Sequence, residues 1–249
     1  MASGNPGLNF YTGTDLVAST MNWKKWLWHW DNVSSSYKKY LKEINIKASS
    51  ATWLPCTFIV WAVMGFYPYI DCDSVDIQTM DNTEAVQSAN DWDGVLAYLV
   101  AQTPVGISWS SQFKITYRNQ DWVSWKESIA VQTATAPTNI ASFIHGQAAA
   151  WINNYWFIPL ANWDTGIQVV ESIQFVWPIW WLAALVLFKP LAETKLLEVA
   201  AWHEKNILLS DGDLPEILND TYLSMICAPK GSVNGVAFTG SIKTIILNS

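Results

Sequence analysis

Two long stretches without a charged side chain, residues 48–70 and 172–188, constrain this chain more than anything else in its sequence. The first is long enough for a helix to cross a hydrocarbon core of about 30 Å. Trp53 near its start and Tyr67 and Tyr69 near its end stand where interfacial aromatic belts lie. Pro55 falls in the first helical turn, where proline is tolerated, and Pro68 marks the exit. The second run lengthens to 166–188 when the residues before it are included. Pro178 would kink it, Trp177, Trp180 and Trp181 suit a membrane interface, and Lys189 closes it. Both runs read as transmembrane helices.

Charge placement agrees with that reading. Residues 1–47 carry six lysines against three acids, residues 71–165 carry three basic and ten acidic groups, and residues 189–249 carry five lysines and seven acids. Four of the first six lysines fall within ten residues of the first run. The positive-inside rule then puts the N-terminus inside, residues 71–165 outside and the C-terminus inside again. The sequence implies an integral membrane protein in five parts. Residues 1–47 form an arm with an interfacial helix, and 48–70 and 166–188 form the two spans. Residues 71–165 form an acidic, Trp-rich outer segment of mixed α/β character, and 189–249 a small α+β tail.

Composition narrows the function classes. Charged residues make up 14% of the 249 positions, well below the quarter or so of ordinary soluble domains, so part of the chain's solvent reads as lipid. Seventeen tryptophans point the same way, because an indole wants an apolar bed for its body and a partner for its N–H. A net charge of −7 and a single arginine, Arg118, argue against nucleic acid as the main partner. Three cysteines, Cys56, Cys72 and Cys227, make no disulfide framework. The first 22 residues lack the basic start and apolar run of a secretory signal.

Between the two runs, residues 113–133 alternate enough for one or two strands, and the uncharged stretch 128–163 reads as a buried or interfacial helix. Trp23, Trp26, Leu27 and Trp30 recur at helical spacing and form one apolar face, as in a helix lying on a bilayer. Residues 193–209 read as a helix, and Asn234-Gly235 as a hairpin turn.

Few residues suggest chemistry. Asp71, Asp73 and Asp76 could offer hard oxygens to Ca²⁺ or Mg²⁺, although a solvated acidic cap is the plainer alternative. His145 is the best single candidate for a ligand or proton carrier, with Asp164 and Glu171 as carboxylate partners, although a lone histidine in an apolar segment is more often simply hydrogen-bonded in the core. His203-Glu204 opens like a zinc-protease helix, but position 207 is Ile, so that motif is absent. No phosphate-loop, dinucleotide, serine-hydrolase or C-x-x-C motif occurs, and no cofactor is specified.

Three functions fit these features. The first is a non-catalytic accessory subunit of a membrane complex, docking other membrane subunits and lipid through its Trp-rich outer segment. The second is a soluble or membrane-inserting β-rich protein, such as a virion component or a pore-forming, lipid-binding protein. The third is a membrane enzyme or ion carrier.

Overall fold

The computed structural model describes residues 13–19, 33–49, 54–83, 92–103, 111–133, 157–179, 182–199, 201–219, 221–229 and 238–248. In chain order their strands are β1 (Tyr37–Ala48), β2 (Cys56–Asp71), β3 (Gln78–Thr79), β4 (Leu96–Ala101), β5 (Gln112–Asn119), β6 (Lys126–Glu127), β7 (Val131–Gln132), β8 (Ile167–Phe175), β9 (Leu182–Leu196), β10 (His203–Asn206), β11 (Glu216–Ile217), β12 (Tyr222–Pro229) and β13 (Phe238–Asn248). One short helix, α1 (Ile207–Asp211), lies between β10 and β11. Among the described residues 59% are strand and 3% helix, so the structure is mostly β-sheet, and the expected mainly α membrane fold with two transmembrane helices is overturned.

Neither apolar run is a membrane helix. No helix among the described residues is long and apolar enough to cross a membrane. The topology with both termini inside and residues 71–165 outside therefore loses the helical spans it rested on. The first run is largely β2, rich in β-branched and aromatic residues such as Thr57, Phe58, Ile59, Val60, Trp61 and Val63. Every residue from Phe58 to Pro68 is buried. A strand covered on both faces loses its polar alternation and reads as a continuous apolar run, as a membrane helix does. The second run is two strands, β8 and β9, and Pro178 lies in the connection between them.

The chain divides into two compact units, Met1–Lys25 with Val63–Lys189 and Trp26–Ala62 with Pro190–Ser249, so the boundary falls within β2 and β9. In the first unit the chain changes between two sheets at each step from β2 to β5 and again from β8 to β9, while β5 to β8 share one sheet. β2, β9 and β4 are neighbours in one, in the order β12-β2-β9-β4; the other runs β3-β8-β5-β6, with β7 also paired to β5. β4 pairs antiparallel with β9 from Leu96↔Phe188 to Ala101↔Ala183, and β5 pairs antiparallel with β8 from Phe113↔Phe175 to Asn119↔Ile167. Taking β6 and β7 as one interrupted strand, this order matches seven of the eight positions of a jelly roll. Between β7 and β8, residues 134–156 lie outside the described residues.

Burial follows from that arrangement. β5 alternates between buried and more open side chains, with Phe113, Ile115 and Tyr117 inward, as expected of a sheet with one face to the core. Tyr67 joins the two sheets: its hydroxyl donates to Asn82 Oδ1 (2.8 Å) and accepts from the Val170 N–H of β8 (3.0 Å). Residues 16–19 run alongside both sheets. Ser19 exchanges backbone hydrogen bonds with Phe66 of β2, while Leu16 and Ala18 bond Asp81 beyond β3.

In the second unit β1 is central, paired antiparallel to β10 and β11 on one side and to β13 on the other. A core of Ile46, Ala48, Cys56, Phe58 and Leu196 is extended by Leu54, Met225 and Phe238. The Phe238 ring meets the Phe58 ring edge-on at 4.8 Å. The expected tail helix at 193–209 is instead the end of β9, then β10, then the start of α1. Asn206 caps α1 through the Leu209 N–H (3.3 Å), and Gly212 ends it in the left-handed region. The Asn234-Gly235 turn lies outside the described residues, and the strands flanking it, β12 and β13, belong to different sheets.

Candidate functional site

Three of the five non-glycine residues with left-handed backbone among the described residues are tryptophans: Trp122, Trp125 and Trp163, with φ of 63°, 62° and 74°. Bulky side chains avoid this region because Cβ crowds the following carbonyl, at a cost of about 1–2 kcal/mol each. All three are also exposed, at 70%, 75% and 95%. A fold that strains its backbone to hold large apolar side chains in water points to a site.

The connections that carry them meet at one end of the first unit. Trp122 and Trp125 lie between β5 and β6, and Trp163 lies just before β8. Asn119, closing β5, organises the first loop. Its side-chain oxygen accepts the Asp121 and Val123 N–H groups (3.1 and 2.9 Å), its own N–H donates to Val123 O (3.0 Å), and its carbonyl accepts the Trp122 N–H (3.1 Å). The Trp125 N–H donates to Glu171 Oε2 (2.8 Å). Gln120 Oε1 accepts the Thr165 and Gly166 N–H groups (3.0 and 3.2 Å), joining this loop to the segment behind Trp163. A third segment, 92–95, is tied in by the Gly94 N–H on Thr165 O (2.9 Å) and by a short hydrogen bond from the Thr165 hydroxyl to Asp93. Gly166 is required there: a Cβ would sit 1.9 Å from the Trp92 carbonyl oxygen.

Beneath the three loops lies Asp164, its side chain 4% exposed. It accepts from the Tyr117 hydroxyl (2.6 Å) and the Asn119 amide (2.8 Å), and Lys126 Nζ stands 3.7 Å away. The Ala161 N–H donates to the Tyr117 oxygen (2.9 Å), completing the network. Burial, and then the neighbouring carboxylate of Asp164, pushes the Tyr117 hydroxyl far above its ordinary range, so it acts as a fixed donor. The carboxylate is fully engaged in holding the loops. The arrangement presents flat aromatic faces beside exposed Asp93, Asp121 and Thr165, which suits binding rather than bond making.

The residues singled out from sequence fall elsewhere or take other roles. Glu171 is the acceptor that holds Trp125, and Asp164 is the buried anchor. His145, Trp23, Trp26, Trp30, Trp53, Trp180 and Trp181 lie outside the described residues. Tyr67 is buried between the sheets, and the Tyr69 N–H donates to Gln102 Oε1 (2.6 Å). Asp71 ends β2, and Asp73 and Asp76 sit in the connection after it, where Asp71 Oδ1 accepts the Asp73 N–H (2.9 Å) and the Ser74 hydroxyl accepts that of Asp76 (3.3 Å). Among the described residues no group of three or more His, Cys, Asp or Glu side chains is placed to hold a metal.

Trp177 is exposed in the connection after β8, at the opposite end of that strand from Trp163. It neighbours exposed Val176, and the Gln174 amide reaches Val75 O (3.3 Å) in the acidic connection, which also exposes Ile77. The Ile179 N–H on Cys72 O (2.9 Å) fixes the same two connections together. Comparison with protein-family models, curated proteins and solved structures finds no match for this chain.

Proposed function

We propose that the chain is a non-catalytic structural protein of the virion-shell type, a β-rich building block that packs against further subunits. The strand order of the first unit carries this reading. Jelly rolls serve as viral shell domains, as lectins and as cupins, so fold analogy alone leaves the class open. The surface supports a shell role. Val75, Ile77, Val176 and Trp177 are exposed around one joined pair of connections, and apolar groups gathered in this way mark protein contacts. Tryptophan is enriched at the centres of such contacts. The acidic balance suits contact with other shell proteins better than direct packaging of nucleic acid.

Assembly of the purified chain, followed by sedimentation and negative-stain electron microscopy, tests the proposal. Closed particles of uniform size are expected, and Ile77→Asp with Trp177→Asp should stop their formation while leaving a folded subunit. A chain that stays monomeric under every assembly condition sinks the shell reading. Dye release from lipid vesicles by the monomer would favour a pore-forming protein instead.

A further inference from the structure

We infer that the loop end bearing Trp122, Trp125 and Trp163 binds neutral carbohydrate. This inference stands apart from the shell proposal, because it concerns the other end of β8 and would hold for a monomer. A pyranose has an apolar C–H face and a rim of hydroxyl groups. It therefore takes up flat aromatic surface and polar groups side by side. Both are present. The three tryptophans are largely uncovered, and the polar residues Asp93, Asp121 and Thr165 are exposed on the loops that carry or adjoin them.

Charge decides against the other ligands that seek tryptophan. An anionic bilayer or a nucleic-acid strand needs basic groups beside the rings. Here Lys126 is turned toward Asp164 at 3.7 Å and Arg118 donates to the Ser124 hydroxyl at 3.1 Å. The exposed residues Asp93 and Asp121 add negative charge, the first accepting from the Thr165 hydroxyl and the second from the Gln120 amide at 2.8 Å. Sialylated or sulfated sugars would be repelled for the same reason. Rigidity fits as well. Each strained tryptophan is held by a backbone hydrogen bond of its own or of a direct neighbour: Trp122 on Asn119, Trp125 on Glu171, and the Asp164 N–H on Ala161 O (3.1 Å) beside Trp163. Weak stacking contacts become useful affinity when little freedom is lost on binding.

The test presents the full chain to an array of neutral, sialylated and sulfated oligosaccharides, and separately to phosphatidylcholine vesicles in a flotation assay. Binding to neutral hexose-containing glycans is expected. Trp122→Ala and Trp163→Ala should each weaken it about tenfold, the scale of losing one anchoring contact. Trp202→Ala, which removes an exposed tryptophan of the second unit, should leave it unchanged. Trp163→Phe, which keeps a flat ring, should retain part of the affinity and answers the question if Trp122→Ala fails to fold. Absence of neutral-glycan binding overturns the inference. So does binding indifferent to Trp122 and Trp163, binding confined to charged glycans, or vesicle binding that the same substitutions abolish.

Discussion

Asp164 shows how much one side chain organises here. Replacing it with Ala would leave the Tyr117 hydroxyl and the Asn119 amide buried without their acceptor, at a cost of about 2–4 kcal/mol. Urea denaturation of Asp164→Ala against Tyr117→Phe checks this, and the second substitution should cost less because the carboxylate keeps Asn119. Gly166→Ala should cost at least about 3 kcal/mol, the upper end for overpacking, since its Cβ would meet a backbone oxygen that cannot move away as a side-chain tip would. In the second unit, hydrogen bonds from Lys243 and then Asn45 hold the Glu43 carboxyl below the usual carboxylate range. A lowered folded value adds stability above the unfolded value of about 4.3, and that stability is lost as pH falls through the folded value. Denaturation midpoints at pH 6 and pH 3 should therefore drop further for the native chain than for Glu43→Gln. Some of these groups were legible in the sequence: Asp164 and Glu171 stood out as carboxylates. Their roles did not. No periodicity marks a tryptophan in left-handed backbone, and the only trace is turn chemistry, Asn and Asp beside Trp in NQDWVSW and NWDTG.

The strands explain why the sequence resembles that of a different fold. Hydropathy registers burial, and β2 is buried on both faces, so it gives the signal of a lipid-facing helix. β5, with one face to the core, alternates and was readable as a strand. Between β8 and β9 the uncharged run continues straight through a change of sheet, because β8 beyond Glu171, the connection and β9 as far as Phe188 carry no charge. Loop strain gives a prediction at this scale. Trp163 is almost wholly exposed, so its ring adds little packing to the fold, whereas its left-handed backbone favours glycine. Trp163→Gly should be more stable than Trp163→Ala by about 1 kcal/mol, read from urea midpoints. If the strain serves ligand presentation, the glycine variant gains stability and loses glycan binding together. Equal stabilities of the two variants would mean that the backbone there is not strained in solution.

At the scale of the whole molecule, net charge and exposed apolar groups act in opposite directions on assembly. Each copy carries −7, so copies repel one another at neutral pH and low salt. Salt shortens the reach of that repulsion, from about 10 Å at 0.1 M to about 3 Å at 1 M, and leaves apolar contacts intact. Association should therefore strengthen as ionic strength rises at pH 7. Lowering the pH toward the sequence pI of about 4.8 removes the same repulsion and should act in the same direction. Static light scattering of the purified chain across a salt series at pH 7 and across a pH series at low salt checks both arms. Contacts built on ion pairs between copies would give the opposite slope, with particles falling apart as salt is added. The two substitutions at the acidic end, Ile77→Asp and Trp177→Asp, separate the causes: they should flatten the salt response, because removing repulsion helps only where an apolar surface remains to be covered.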